Sequence, residues 1–180
     1  MLPLDSVCED IFQGVTIKPG NSENPIALKV KNIKGDEGID YSDIEHTAEV
    51  PERKLLRPGD LISPFIGEAI RQINFAIFGA AEGKFTVDGN TGVIRPNRDR
   101  ISSEYLQNWF QSSFGRSQIL RLIGGGGVPF LGASNVGKLL VAVPPDTKTQ
   151  GQLVAAMDAA RAERRAKLAE ADALLAGEWR

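Results

Sequence analysis

The chain has one cysteine, one histidine and no long apolar run, and each scarcity removes a class of function. With Cys8 alone, neither an internal disulfide nor a cysteine-based zinc site can form within one chain. His46 stands alone in an acidic, loop-like stretch, which excludes paired-histidine metal sites and argues against a serine triad. No stretch approaches the roughly 18 uninterrupted apolar residues of a membrane span. The start, MLPLDSVCEDIF, carries acids where a signal peptide carries bases. The expectation is a cytoplasmic protein without membrane association, metal or cofactor.

What is present is ordinary for a folded domain: 180 residues, 42% hydrophobic and 24% charged. That length suits one domain with an appended element. A net charge of −2 argues against a protein that coats nucleic acid without regard to sequence. The charge is nonetheless polarised. Asp36, Glu37, Asp40, Asp43, Glu45, Glu49 and Glu52 crowd one segment, whereas Arg95, Arg98, Arg100, Arg116 and Arg121 face only Asp99 and Glu104 across theirs.

Along the chain, Ile26-Ala27-Leu28-Lys29-Val30-Lys31 alternates as a half-buried strand with a basic face. Between Leu55 and Phe78, apolar runs flank the turn Pro58-Gly59-Asp60 and read as strands, with Pro64 marking an edge strand or a bulge. Phe85 to Arg95 reads as a hairpin turning at Asp88-Gly89-Asn90. Ser102 is an expected N-cap for a helix carrying Leu106, Trp109, Phe110 and Phe114, which Gly115 ends. A short second helix follows with Ile119, Leu122 and Ile123, then the glycine run 124–127 and a buried strand from Leu139 to Val143. Thr147-Lys148-Thr149-Gln150 fits a capping box and opens a helix of about 30 residues, roughly 45 Å, with Gly177 as its C-cap. Leu153, Met157, Ala160, Arg164, Leu168, Ala171 and Leu175 recur at a spacing near 3.5 and form the expected interface of this helix. It packs either on another chain or back on its own domain. The fold class is α+β: a β-rich domain over 1–145 and a long helix over 146–180.

Catalytic motifs are approached but not completed. Gly132 to Leu139 nearly spells a phosphate-binding loop, but Leu139 stands where the magnesium-binding hydroxyl belongs and a strand follows instead of a helix. The run 124–127 lacks the strand and helix of a dinucleotide fingerprint. Val143-Pro144-Pro145-Asp146 has neither the amide-bearing first residue nor the closing aromatic of an amino-methyltransferase tetrad.

The order of features carries more than any single motif: LDSVCEDIFQGVTIKPG, IALKVKNI, LLRPGDLISPFIGEA, the helix EYLQNWFQSSFGRSQI, GGGGVPFLGASNVGKLLVAVPPDTKTQGQLV and the long helix. Over nearly its whole length the chain resembles one target recognition domain and the following conserved helix of the specificity subunits of type I restriction-modification systems. The resemblance implies a chain that reads one half of a split double-stranded DNA target. It implies no chemistry of its own and long helices that space the domains and dock methyltransferase subunits. An endonuclease or translocase subunit would complete the complex. Usual members have two such domains and two helices, and Thr149 stands where Glu commonly precedes the Gln. The chain therefore looks like half a subunit, able to form a homodimer through its helix, or like the recognition part of a larger fused enzyme.

Recognition surfaces vary most in that family, so contact residues are chosen by exposed-face chemistry. Lys29, Lys31 and Asn32 are expected beside the first strand, Arg71, Gln72 and Asn74 beside the second region, and Lys84, Thr86 and Asn90 near a turn. Arg116, Arg121 and Lys138 are the expected phosphate ligands, with Gly125 and Gly126 offering backbone amides or serving only as a linker. An interaction module that has lost DNA binding is the alternative.

Overall fold

The computed structural model describes residues 1–79, 82–123 and 127–178. Its centre is a four-stranded antiparallel sheet in the order β2 (Cys8–Gln13), β8 (Thr91–Pro96), β5 (Leu61–Pro64), β6 (Ala76–Ile77). Because side chains alternate across a strand, each apolar pair here serves two cores. Leu61 and Ile94 pack on one face with α1 (Ser103–Gln111), α2 (Ser113–Leu122) and α3 (Ala133–Gly137). Ile62, Val93, Phe12 and Ala76 pack on the other. That second core is closed by a three-stranded sheet, β4 (Glu45–His46), β3 (Ile26–Leu28), β7 (Phe85–Val87), in which β3 and β7 run parallel. A two-stranded sheet joins β1 (Leu2–Pro3) to β9 (Leu140–Val141). α4 spans Thr147–Glu178. A sheet covered on both faces explains why its strands read as continuous apolar runs rather than alternating ones.

The chain needs glycine where two elements approach too closely for a methyl group. A Cβ on Gly92 would lie 2.2 Å from the ring of Phe65, itself fully buried. A Cβ on Gly115 would lie 2.3 Å from the Trp109 carbonyl. Gly115 therefore sits inside α2 and does not end the first helix. Ser112 does: its Oγ accepts from the Gly115 N–H at 3.1 Å and caps α2. Ser102 caps α1 as expected, accepting from Tyr105 N–H at 3.1 Å.

Several expectations are corrected. The first strand stops at Leu28, and Val30–Asn32 is a 3₁₀ turn, so the alternating lysines do not form a strand face. β7 and β8 are not a hairpin: β7 pairs with β3, while β8 pairs with β2 and β5, so the 88–90 turn carries the chain from one sheet to the other. Turn chemistry encodes a reversal but not the strand that receives it. Pro64 ends a central strand, where β6 has already left the ladder, and is neither an edge nor a bulge. The strand at 139–143 shrinks to Leu140–Val141. α4 continues through Gly177 to Glu178, so that glycine is no cap.

The start of α4 is also rewired. Asp146 is the capping acceptor, taking the Thr149 N–H at 2.7 Å and its hydroxyl at 3.2 Å. These bonds hold its carboxyl below the usual carboxylate range. Gln150, 1% exposed, does not turn back to its own helix. It reaches across to α1, accepting from Ser102 N–H at 2.8 Å and donating to the Arg100 carbonyl at 2.9 Å.

Candidate nucleic-acid interface

The RPGD turn builds a buried ion pair. Asp60 accepts the Arg57 N–H at 2.8 Å and holds Arg95 through two oxygens, Nε to Oδ1 at 2.9 Å and Nη2 to Oδ2 at 2.8 Å. Arg95 also donates to the Leu55 carbonyl and lies 5.4 Å from the Phe12 ring centroid. At 5% exposure it is a structural tie, not a DNA ligand. Gly59, at φ +94°, gives the turn its left-handed step and accepts the Ser103 hydroxyl at 2.6 Å.

The lysines of the first region are answered from within the chain. Lys29 meets Glu45 at 2.6 Å, Lys31 bonds Asp43, and Lys34 lies 3.8 Å from Asp40. Hydrogen bonds from the Ser42 side chain, then its backbone, with Lys34 adding, keep the Asp40 carboxyl below its ordinary range. Asn32 is corrected outright: it is 2% exposed, accepting from Lys29 N–H at 2.8 Å and donating to the carbonyls of Asp40 and Asp43. Thr86 is likewise fully buried, its hydroxyl donating to the Lys54 carbonyl at 2.9 Å. Exposed-face chemistry therefore does not apply to Asn32 or Thr86.

Lys84 and Asn90 are exposed. Beside them runs the segment 54–56, tied to β7 through Lys54 and through Leu56 N–H to the Phe85 carbonyl. Sequence reasoning missed Arg53 and Lys54 there. The Lys54 ammonium stands 4.8 Å over the Phe12 ring and donates to the Gln13 carbonyl. Burial, with Arg53 adding, lowers its pKa. The contact with Phe12 and the bond to the Gln13 carbonyl separate Lys54 from an ordinary surface lysine, and no sequence pattern announces either.

Arg71 and Gln72 close a 3₁₀ turn, Glu68–Gln72, with Arg71 paired to Glu68 at 2.7 Å. Ile73 follows at φ 54°, a left-handed conformation that costs a β-branched residue about 1–3 kcal/mol. Its 1% exposure and the bond its carbonyl accepts from Gln111 at 2.7 Å hold it there. Asn74 donates to the Gln72 amide oxygen at 3.0 Å.

Arg121 is exposed in the last turn of α2. Gly125 and Gly126 lie outside the described residues. Lys138 is exposed, but it lines a hollow of about 500 Å³ that also contains Asp5, Glu9 and Asp10, a poor setting for a phosphate. Cys8 lines the same hollow, its thiol pushed up to about 12 by burial and by Asp5.

One groove gathers residues that the sequence placed in separate roles. Between α4 and the body lies a space of about 710 Å³, bordered by Asn74, Gln111 and Arg116 on the body side. Met157, Ala160 and Leu168 line it from α4, together with Arg164 and two arginines not foreseen, Arg161 and Arg165. Their i, i+3, i+4 spacing was the available signal. Arg165 lies 3.7 Å from Asp36 and Arg161 3.8 Å from Asp158. Arg116 and Arg164 form no ion pair among the described residues. Among those residues there is no group of three or more potential metal ligands and no helix long and apolar enough to cross a membrane.

No family model matches the chain, and no curated protein matches it either. Solved structures do. The HsdS subunit from Thermoanaerobacter tengcongensis superposes with a TM-score of 0.68 at 22% identity, over 91% of this chain and 42% of that one. A chain from a type I R-M system solved for its complex assembly and conformational transition gives 0.61 at 16% identity, over 92% and 38%. The S subunit of the type I restriction-modification system from M. genitalium gives 0.52 at 12%, over 94% and 41%. The chain spans about two-fifths of each. In fold, a β-rich domain followed by one long helix, it is similar to half of a type I restriction-modification specificity subunit.

Proposed function

We propose that this chain is a non-catalytic, cytoplasmic specificity component of a type I-like restriction-modification system, reading one half of a bipartite DNA target. The observation that carries the reading is the superposition on an HsdS subunit over 91% of this chain but only 42% of that one. Residues 1–145 read DNA, and 146–180 dock methyltransferase subunits and pair with a second copy. An endonuclease or translocase subunit joins through the methyltransferase. Arg71, Gln72, Asn74, Lys84 and Asn90 are the exposed or half-exposed side chains with the chemistry to meet base edges, and Arg121 suits a phosphate. Two copies related by a two-fold axis would read an interrupted palindrome, since site symmetry mirrors protein symmetry.

Selection from a random duplex pool, with and without the cognate methyltransferase subunit and at two salt concentrations, tests this. The expected result is enrichment of an interrupted palindrome. A single isolated half-site would leave sequence reading intact but remove the dimer. Enrichment of nothing, with the partner present, would overturn the reading in favour of a protein-interaction module.

A further inference from the structure

Two glutamines of α1 hold a segment that belongs to no regular element. Between the Glu68–Gln72 turn and β6 the chain passes through Ile73, the only residue other than glycine with a positive φ among the described residues. A glycine would adopt that conformation freely, but the Ile73 side chain is buried in the core. The bend is therefore imposed, and α1 imposes it. Gln111 Nε2 donates to the Ile73 carbonyl at 2.7 Å, and Gln107 Nε2 donates to the Phe75 carbonyl at 2.6 Å. The spacing agrees: residues four apart on a helix rise roughly 6 Å, and residues two apart on an extending chain lie roughly 6.6 Å apart. Phe75 also stacks on Phe110 of the same helix, with ring centroids 4.2 Å apart. With Ile73 turned inward, Gln72 is exposed and Asn74 half-exposed on either side of it. Their amides are joined, Asn74 donating to Gln72 Oε1 at 3.0 Å. Asn74 is backed by Gly35, where a Cβ would stand 3.1 Å from its Oδ1.

We propose that Gln111, with Gln107 one turn before it, is a positioning residue for sequence reading: through the Ile73 carbonyl it fixes the joined amides of Gln72 and Asn74 in the arrangement that meets a base edge. The inference rests on the DNA reading proposed above and adds what holds the reading side chains in place. An amide tells bases apart only where its donor and its acceptor both arrive in register. A side chain free to turn must be ordered on binding, which costs affinity, whereas Gln72 and Asn74 are ordered beforehand. Strain such as that at Ile73 opposes folding and persists only where the surrounding structure enforces it. Here the enforcing group is one amide of α1, and what it secures is the setting of the two exposed neighbours. Gln111 also accepts from Arg116 Nη1 at 3.4 Å, so its oxygen and its nitrogen serve different partners. The two functions can be separated by substitution.

Selection from a random duplex pool by the full chain with its methyltransferase subunit tests the inference, at concentrations matched for folded protein by circular dichroism. Gln111→Met removes the amide at nearly constant length, while Gln111→Glu keeps an acceptor for Arg116 and loses the N–H donor. Ser103→Ala is the control, since it removes from the same helix another side-chain bond to a backbone carbonyl, that of Gly59. The expected result is that both Gln111 variants lower base preference on the order of ten-fold at one or two adjacent positions of the enriched site. These are the positions that Asn74→Ala flattens, and adding Gln111→Met to Asn74→Ala changes them no further. Ser103→Ala lowers stability and keeps the wild-type profile. Gln111 variants that keep the wild-type profile, or that weaken every position alike, overturn the positioning role and leave the DNA reading intact. An Asn74→Ala variant with the wild-type profile does the same. A wild-type chain that enriches no sequence overturns the reading itself and this inference with it.

Discussion

Two basic regions of this molecule look alike in sequence and differ in kind. Lys29, Lys31 and Lys34 each meet an acid of the 40–45 stretch. Of the four arginines that share the groove, Arg165 meets Asp36 and Arg161 meets Asp158, while Arg116 and Arg164 form no ion pair among the described residues. A charge answered inside its own chain has few counterions left to release, whereas an unanswered one is available to whatever docks. Availability, not the number of basic residues, separates a solvated face from an interface. The Arg95–Asp60 pair is the extreme of the answered kind, since both groups are out of water.

The comparison can be broken at its strongest point first. Asp60→Ala leaves a buried guanidinium without its carboxylate, and urea denaturation should show a loss of about 3–5 kcal/mol. Gln150→Ala strips acceptor and donor from Ser102 N–H and the Arg100 carbonyl. Stability should fall by about 1–3 kcal/mol; a smaller loss would mean that water replaces the amide. Lys31→Ala should cost under about 1 kcal/mol at low salt, an amount erased at high salt, because its pair with Asp43 is exposed. Its affinity for duplex DNA should not change. Arg121→Ala inverts that result: thermal stability should stay within about 0.5 kcal/mol, while the slope of log affinity against log salt should fall by about 0.9. If Lys31 moved the slope and Arg121 did not, the distinction between answered and available cations would be wrong.

Cys8 offers a separate check through pH. Its thiol titrates near 12 in the folded chain against 9.0 for the ordinary group. The unfolded chain therefore loses that proton first, and stability should drop as pH rises between these values, by about 1.4 kcal/mol per unit. Cys8→Ser should flatten the decline in denaturation curves taken from pH 8 to 11.

Much of the architecture was legible because it depends on local chemistry. The Ser102 cap, the long helix from Thr147 and the β-rich domain before it follow from side-chain hydrogen bonding and apolar period. What stayed hidden depends on partners distant in sequence. Nothing at Lys29 announces that Glu45 will answer it, and nothing at Asn32 shows that the 40–43 backbone will enclose its amide. The Asp88-Gly89-Asn90 turn does not say which sheet receives each flank. In the candidate site, Asn74 and Arg116 were separable residues until α4 folded beside both. The capping-box pattern misled for a related reason, because the same Gln150 amide serves either its own helix end or a neighbouring one.

That amide also has a metric consequence. From Gln150 to Glu178 the helix runs roughly 42 Å, while its bearing is fixed at the root by two hydrogen bonds to the start of α1. A lever of that length turns a tilt of about 5° into a displacement of nearly 4 Å at the tip, close to the axial step of one base pair. If the helix spaces two reading heads, the interval they span on DNA is calibrated by the seating of a single glutamine, far from any base.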